Sequence, residues 1–245
     1  MKNNGSQQNI EDRPSIMAAG DLLDFSPAEI AIDQGSFPWQ MTRVERLGLR
    51  HLLQTIKPRL ALEIGTDKGG SLEAILQYAE RAISIDINAQ NQSLLQQKPE
   101  FNNAEFITGN SAEILPTLID FINKSDVHAN FILIDGDHST QGCQNDIELI
   151  LEIIPKSLTC IVMHDSFMPS CRTAMGNVNW SRCEYVHYVE FDYVQGAFIG
   201  SLDNGGFKMV GGLAVVLLKP VKRIGNLPIY QSHRDSYEKL RALVG

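Results

Sequence analysis

Short apolar segments alternate with amphipathic segments through the middle of the chain. Apolar runs bounded by turns are typical of buried strands, whereas an apolar face that recurs every three or four residues predicts a helix. We therefore expect strands at 59–64, 82–86, 104–108, 130–135 and 158–164, and helices at 42–56, 70–80, 89–98, 110–124 and 140–154. Strands that alternate with helices predict a parallel sheet with helices on both faces.

The pattern changes after residue 165. Segments 185–193 and 208–218 each read as a strand, and a loop rich in glycine joins them, which predicts a closing antiparallel hairpin. A short amphipathic helix is expected over 232–244. This helix fits either packing on the domain or a contact between two copies in a homo-oligomer, and the sequence leaves both open.

The loop after the first predicted strand carries the strongest chemical signal. The strand ends at Glu63 and Gly65, a helical pattern opens directly afterwards, and the second strand ends at Asp86, 21 residues after Gly65. Glycines let the backbone approach a ligand, a helix start offers free N–H groups, and an acid at this distance can accept from a ribose diol. The spacing predicts a nucleoside site at the strand ends.

The loop reads E-x-G-x-x-x-G, which resembles motif I of the class I S-adenosylmethionine-dependent methyltransferases. The resemblance implies an α/β fold with a Rossmann-like, seven-stranded, mostly parallel sheet, helices on both faces and an antiparallel last strand. It also implies that the loop holds the methionine part of S-adenosylmethionine and that Asp86 holds the ribose. The expected cofactor-binding residues are Glu63, Gly65, Thr66, Gly69, Gly70, Ser71, Asp86, Asn110 and Ser111, the last two at the adenine. Asp86 alone also suits a helix N-cap.

Polar residues also follow the fourth and fifth predicted strands. Asp135, His164 and Asp165 stand at the ends of adjacent strands, so their side chains can converge on a divalent cation such as Mg²⁺. His138 lies at the mouth of the same strand as Asp135. A neutral imidazole there can take a proton from a hydroxyl group, so His138 and Asp135 are the expected catalytic residues. A structural cap is the alternative for His138.

The segments 134–139, 163–167 and 211–214 resemble metal-dependent O-methyltransferases that modify sugars and macrolides, and the group that includes the protein called cephalosporin hydroxylase. This resemblance covers residues 40–218 and implies a small-molecule hydroxyl acceptor. One departure is that His164 and Asp165 stand where such sites offer two carboxylates, or a carboxylate and an amide. Imidazole favours Zn²⁺, Mn²⁺ or Fe²⁺ over Mg²⁺. Alternatively, His164 and Asp165 form a hydrogen-bonded pair that shapes the acceptor pocket without a metal.

Composition narrows the partners. The chain has 21 basic and 29 acidic residues, a net charge of −8, and no basic run that would follow phosphates, so nucleic acid is not expected as a partner. Neither a transmembrane run nor a signal-peptide core is present in the sequence, so no membrane association is expected. Four cysteines without a C-x-x-C spacing fit reduced thiols, and we expect a cytoplasmic protein.

The predicted organisation has three parts. Residues 1–40 form a polar tail and irregular lead-in, 41–220 the methyltransferase domain, and 221–245 a C-terminal extension. Two other functions stay open at this point. One is a non-catalytic relative that binds S-adenosylmethionine, and the other is an NAD-dependent oxidoreductase, which would need the loop G-x-G-x-x-G that this chain lacks.

Overall fold

The protein is described by a computed structural model over residues 36–200 and 207–244. Its strands are β1 (Leu60–Ile64), β2 (Arg81–Asp86), β3 (Ala104–Thr108), β4 (Ala129–Ile134), β5 (Thr159–His164), β6 (Val186–Val194), β7 (Ala197–Gly200), β8 (Phe207–Val210), β9 (Leu213–Leu218) and β10 (Ile229–Tyr230). Its helices are α1 (Arg43–Ile56), α2 (Gly70–Leu76), α3 (Ala89–Leu95), α4 (Ser111–Lys124), α5 (Thr140–Ile150), α6 (Pro169–Asn177) and α7 (Arg234–Val244).

The central sheet has the order β10-β6-β9-β5-β4-β1-β2-β3. Every neighbouring pair is parallel except the two pairs that β9 makes with β5 and β6. The predicted fold class, an α/β fold with a mostly parallel sheet and an antiparallel strand, is confirmed. The sheet has eight strands instead of the expected seven, because the short β10 joins its edge in parallel, so the antiparallel strand is β9 and not the last one. The chain leaves β1 in one direction toward β3 and later returns to the other side at β4. Such a reversal opens a crevice at the carboxyl ends of the strands.

Two apolar cores cover the faces of the sheet. Helices α4, α5 and α6 pack on one face, where buried side chains such as Leu115, Ile147 and Met175 meet the strands. Helices α1, α2 and α3 pack on the other face through residues such as Leu53 and Ile75. Strand β1 alternates between the two cores, as the side-chain period of two requires. The helices expected from the sequence form, although α2, α3 and α5 end earlier than predicted.

The expected strand at 208–218 is wrong as a single element. Gly211 and Gly212 have φ angles of +71° and +86°, and they break the segment into β8 and β9. Strand β8 pairs with β7 in a separate two-stranded sheet, whereas β9 enters the central sheet. The predicted pairing of the two late segments is confirmed by the antiparallel contact of β6 with β9. The sequence analysis did not predict α6 or β10, and Gly205 and Gly206 of the expected glycine loop lie outside the described residues.

The C-terminal helix α7 packs on the domain. Tyr237 is buried against Phe167 and Met209, and its ring meets the ring of Phe167 edge to face at 5.3 Å. A buried ion pair lies beside it, in which Arg172 Nη1 is 2.7 Å from Asp192 Oδ1. Of the two roles left open for this helix, the structure shows the packing role.

The three-part division of the chain stays a prediction, and residues 1–35 of its first part lie outside the described residues. Among the helices in the described part of the chain, none has the length and apolar character needed to cross a membrane.

Candidate active site

A cavity of about 790 Å³ opens at the carboxyl ends of the central strands. It lies where the sheet order reverses between β1 and β4, the expected place for a ligand in this architecture. The predicted residues on its wall are Gly65, Thr66, Gly70, Ser71, Asp86, Asn110, Ser111, Asp135, His138, His164 and Asp165. The strand ends therefore bring together both halves of the site that the sequence predicted.

The turn after β1 is tightly packed against the neighbouring strand end. Gly65 has a φ angle of +92°, and a Cβ atom there would lie 2.0 Å from the carbonyl oxygen of Asp135. Gly69 is the N-cap of α2, and a Cβ atom on it would meet the side chains of Leu95 and Phe101 instead of a ligand. Because Gly65 has no side chain, the glycine loop after β1 can lie directly against Asp135 at the end of β4.

Glu63 lies behind this loop and is fully buried. Its two carboxylate oxygens accept hydrogen bonds from the hydroxyls of Ser71, at 2.6 Å, and Ser84, at 2.7 Å. Burial raises the pKa of Glu63 to about 7, against the lowering effect of the two hydroxyls. The sequence placed Glu63 among the cofactor-binding residues, but in the structure its carboxylate contacts Ser71, in the first turn of α2, and Ser84.

Asp86 faces the cavity and is anchored to the loop. One oxygen accepts the backbone N–H groups of Thr66 and Asp67, both at 2.8 Å, and the other accepts the N–H of Asn88 at 2.7 Å. A carboxylate offers about four acceptor positions, so this arrangement leaves about one for a ribose hydroxyl. Two ribose hydrogen bonds at once require one backbone N–H to release the carboxylate. The N-cap role falls to Asn88, whose side chain accepts from Gln90 and Asn91.

Asn110 and Ser111 form the edge of the cavity at the start of α4. The side chain of Asn110 accepts the N–H of Ala112 at 3.0 Å and so caps the helix. The hydroxyl of Ser111 donates to Asp146 Oδ1 at 2.6 Å, and Asp146 is buried. Because its proton is committed to Asp146, the Ser111 oxygen is left as an acceptor on the cavity side.

The acids and histidines that follow β4 and β5 form one group, the acid–imidazole cluster, which consists of Asp135, His138, His164 and Asp165. His164 Nδ1 lies 2.9 Å from Asp135 Oδ1 and 3.4 Å from Asp165 Oδ2, and His138 Nε2 lies 2.9 Å from Asp165 Oδ2 and 3.3 Å from Asp135 Oδ1. One potential ligand atom from each of these four residues lies within 4.8 Å of the other three. The two carboxylates therefore alternate with the two imidazoles around a common centre.

The cluster changes the proton affinities of its members. Burial by itself would raise the pKa of Asp135, but the neighbouring imidazoles of His164 and His138 lower it below its usual value. The hydrogen bonds to Asp135 and Asp165 raise the pKa of His138 to about 10. A general base must be neutral, so the role predicted for His138 requires a ligand that competes with it for these carboxylates.

Sequence reasoning missed Glu45, which also lies on the cavity wall. This residue is on α1, far from the cluster along the chain, yet its Oε1 is 3.4 Å from His164 Nε2. The signal present in the sequence is Thr42-x-x-Glu45, the pattern of a helix capping box, and the structure shows that box. A helix capping box accounts for the spacing of Thr42 and Glu45 in the sequence, so this pattern does not indicate that Glu45 contacts His164.

Residues 62–166 match a family model described as a methyltransferase domain. The matched span begins in β1 and ends just after Asp165, so it includes the glycine loop, Asp86 and the whole acid–imidazole cluster. The matched span is 105 of the 245 residues, and over it the chain is similar to methyltransferase domains. No curated protein matches the chain at a significant level.

Solved structures show the same fold at low sequence identity. An O-methyltransferase from Bacillus cereus in complex with S-adenosylhomocysteine is 16% identical, with 82% of this chain and 90% of that chain covered and a TM-score of 0.51. A putative O-methyltransferase from Klebsiella pneumoniae is 13% identical (86% and 92% covered, TM-score 0.52). An N-methyltransferase from Bradyrhizobium japonicum is also 13% identical (78% and 95% covered, TM-score 0.50). The methyltransferase fold is thus shared by enzymes that act on oxygen and on nitrogen.

Proposed function

We propose that this protein is a methyltransferase that transfers the methyl group of S-adenosylmethionine to a hydroxyl group of a small molecule, such as a sugar or another natural product. The observation that carries the proposal is that the cluster of Asp135, His138, His164 and Asp165 shares one cavity wall with the glycine loop and Asp86. A donor held by the loop and an acceptor held at the cluster would therefore meet within the same space.

The donor side of the cavity offers contacts for each part of S-adenosylmethionine. Gly65 and the loop after it present backbone to the methionine part, Asp86 presents an acceptor to the ribose, and Ser111 presents an acceptor that suits the amino group of adenine. A volume of about 790 Å³ lies in the range of small-molecule sites and leaves room for an acceptor beside the nucleoside.

The acceptor side supplies acid–base chemistry. His138 is half-exposed at the mouth of the cavity, and Asp135 and Asp165 orient its ring. His138 can act as a base only in its neutral form, so a ligand must first compete with it for Asp135 and Asp165. During transfer, neutral His138 takes the proton of the acceptor hydroxyl, while the oxygen bonds to the methyl carbon and the carbon–sulfur bond of the donor breaks with its electron pair going to sulfur. The residues on the wall contribute by holding the two reactants in line, which can supply a large share of the rate.

Asp135, His164 and Asp165 are the residues that would hold a divalent cation. Their potential ligand atoms are close together, and two carboxylates with an imidazole are a donor set that divalent metals accept. A bound cation would polarise the acceptor hydroxyl and lower its pKa. We include metal assistance in the proposal on this basis.

The charge of the chain supports a small acceptor. A net charge of −8 opposes binding of nucleic acid, and the cavity is lined by the loops at the strand ends. The choice of oxygen over nitrogen is supported by the acid–imidazole cluster, because a hydroxyl must lose its proton when it is methylated and needs a nearby base. An NAD-dependent oxidoreductase is opposed by the loop, which lacks the second glycine of G-x-G-x-x-G.

The experiment is a comparison of the wild type with Asp135→Ala. We expect S-adenosylhomocysteine to bind both proteins with similar affinity in calorimetry, because Asp135 lies at the cluster and makes no hydrogen bond to the loop side chains. Turnover with a responsive hydroxyl acceptor should fall at least about 100-fold, since the oriented imidazoles lose their shared carboxylate. Asp120→Asn, an exposed change on α4, serves as the control.

The outcomes separate the open functions. Full turnover by Asp135→Ala would show that the acceptor-site proposal is wrong. Failure of the wild type to bind S-adenosylhomocysteine would contradict the donor assignment, and binding of NAD instead would favour an oxidoreductase. Binding of S-adenosylhomocysteine without transfer to any hydroxyl acceptor, with or without divalent metals, would identify a non-catalytic relative.

A further inference from the structure

Glu45 brings a buried carboxylate to the back of the acid–imidazole cluster. The residue is 1% exposed, and its Oε1 lies 3.4 Å from Nε2 of His164. That nitrogen is itself buried and has no aligned hydrogen-bond partner among the described residues. The other ring nitrogen of His164, Nδ1, faces Asp135 at 2.9 Å. His164 thus stands between two carboxylates, that of Asp135 at Nδ1 and that of Glu45 at Nε2.

The surrounding backbone is shaped to hold Glu45 in this place. The carboxylate accepts the N–H of Thr42 on its own helix and the N–H of Gly212 at the start of β9. A Cβ atom on Gly211 would lie 2.3 Å from Glu45 Oε1, so only glycine leaves room for the carboxylate there. Two distant segments of the chain, the start of β9 and the end of β5, therefore converge on one acidic side chain, which a helix cap alone does not require.

We propose that Glu45 is the positioning residue of His164, and that it directs Nδ1 of His164 toward Asp135 and a divalent cation. This inference rests on the metal-assisted form of the proposed function. His164 Nε2–H donates a hydrogen bond to Glu45, which favours the tautomer in which Nδ1 is unprotonated and its lone pair can bind a cation. The presence of an oriented imidazole makes the site selective for a first-row transition metal such as Mn²⁺ over Mg²⁺.

The two ring nitrogens of a metal-bound histidine have different roles, because one binds the metal and the other donates a hydrogen bond. A ligating imidazole nearly always donates its second ring N–H to a carboxylate or carbonyl, which orients the ring and increases its basicity. Mg²⁺ prefers oxygen ligands at near-octahedral geometry, whereas imidazole suits the transition metals. The pair Glu45–His164 would take this arrangement once the ring turns to align the 3.4 Å contact between Nε2 and Oε1, with Asp135 at the other ring nitrogen.

The test measures metal binding directly, without turnover. The full chain saturated with S-adenosylhomocysteine is titrated with MnCl₂, free Mn²⁺ is followed by electron paramagnetic resonance, and MgCl₂ is added as competitor. We expect the wild type to bind Mn²⁺ at least about tenfold more tightly than Mg²⁺. Glu45→Gln should weaken Mn²⁺ binding about 10- to 100-fold, because the orienting carboxylate is lost. Glutamine still completes a capping box, so helix α1 keeps its start.

Glu73→Gln is the matched control. Glu73 is also a buried glutamate that accepts backbone N–H groups, those of Ser36 and Phe37, but it does not contact the cluster. It should leave Mn²⁺ affinity unchanged. His164→Asn should remove the preference for Mn²⁺ over Mg²⁺, since the imidazole donor is gone.

Each remaining result overturns the inference. Unchanged Mn²⁺ affinity in Glu45→Gln, an equal loss in Glu73→Gln, or equal affinity of the wild type for Mn²⁺ and Mg²⁺ would each do so. A wild type that binds neither metal would also do so, while its affinity for S-adenosylhomocysteine would still report on the donor site. Failure of the inference and failure of the donor assignment are thus seen in separate measurements.

Discussion

At the residue scale, Glu63 shows how burial sets the chemistry of a carboxyl group. It lies among the buried residues of β1, and only two hydroxyl groups compensate its charge, so its pKa rises from 4.5 to about 7. Between these two values the folded protein binds more protons at Glu63 than the unfolded chain does. The stability that this group contributes is therefore fully present below about pH 4.5 and decreases as pH rises through 7.

We predict that Glu63→Gln removes this pH dependence. As pH rises from 5 to 8, the wild type should lose free energy of unfolding through the ionisation of Glu63, whereas the variant should not, because glutamine cannot ionise. The difference in free energy of unfolding, variant minus wild type, should therefore increase by a total on the order of 3 kcal/mol over this range. Urea denaturation at each pH measures the difference. Gln90→Ala, an exposed change on α3 that removes no ionisable group, should show no pH-dependent difference from the wild type. Parallel stability curves for Glu63→Gln and the wild type would contradict the assigned pKa.

Single residues at strand ends could be predicted from the sequence because strand direction places them. Asp86 and Asp135 each follow an apolar run, and parallel strands bring such positions to one edge of the sheet. Glu45 could not be found in this way. Its approach to His164 depends on how α1 packs over β5, and no periodicity within α1 encodes that contact.

At the element scale, the turn after β1 is where local conformation and long-range packing meet. Gly65 needs a positive φ angle, and the Asp135 carbonyl oxygen occupies the space where a side chain would begin. The turn can therefore take its shape only if β4 ends directly beside it. The distance between the glycine loop and the acid–imidazole cluster is therefore fixed by the packing of β1 against β4.

We predict that Gly65→Ala destabilises the fold by at least about 2 kcal/mol, through backbone strain and the clash with Asp135. Affinity for S-adenosylhomocysteine should fall as well, since the loop must shift. Gly176→Ala is the control, because a Cβ atom at this position in α6 would meet nothing within 4 Å. Alanine in a helix is favoured over glycine, so this control should be neutral or stabilising by up to about 1 kcal/mol. Equal stability of the two variants in urea denaturation would contradict the assigned role of Gly65.

Elements with strong periodicity were predicted well, and the late part of the chain was not. The segment 208–218 reads as one strand by its apolar residues, but Gly211 and Gly212 turn the chain so that β8 leaves the central sheet. Helix α6 was missed because the segment 167–182 mixes small and polar residues and shows no clear apolar face. Its position depends on buried contacts, such as Arg172 with Asp192, that form only in the folded protein.

At the scale of the whole molecule, the strands on both sides of the point where the sheet order reverses, between β1 and β4, contribute residues to one cavity. A ligand there contacts loops that follow β1, β2, β3, β4 and β5, so binding should stabilise the entire domain. Binding to the folded state alone adds about 2.7 kcal/mol when the ligand is at 100 times its dissociation constant. For a chain of this size, each kcal/mol shifts the melting temperature by about 2–4 °C.

We predict that S-adenosylhomocysteine at 100 times its dissociation constant raises the melting temperature by about 5–10 °C. NAD at the same concentration should leave the melting temperature unchanged, because the loop lacks the dinucleotide glycine pattern. Differential scanning calorimetry with each compound makes the comparison. A shift with NAD and none with S-adenosylhomocysteine would reverse the assignment of the donor.

The sequence by itself determined the fold class, the order of the central elements and the strand-end positions of the glycine loop, Asp86 and the acid–imidazole residues. These follow from local rules, namely apolar periodicity, turn residues and the common direction of parallel strands. Only the tertiary structure decided which side chains share a proton or a carboxylate. Glu63 turns inward to Ser84, Asp86 binds the loop backbone, and Glu45 reaches His164. Such contacts join residues far apart along the chain, and their distances arise from the packing of α1 and the strands into one core.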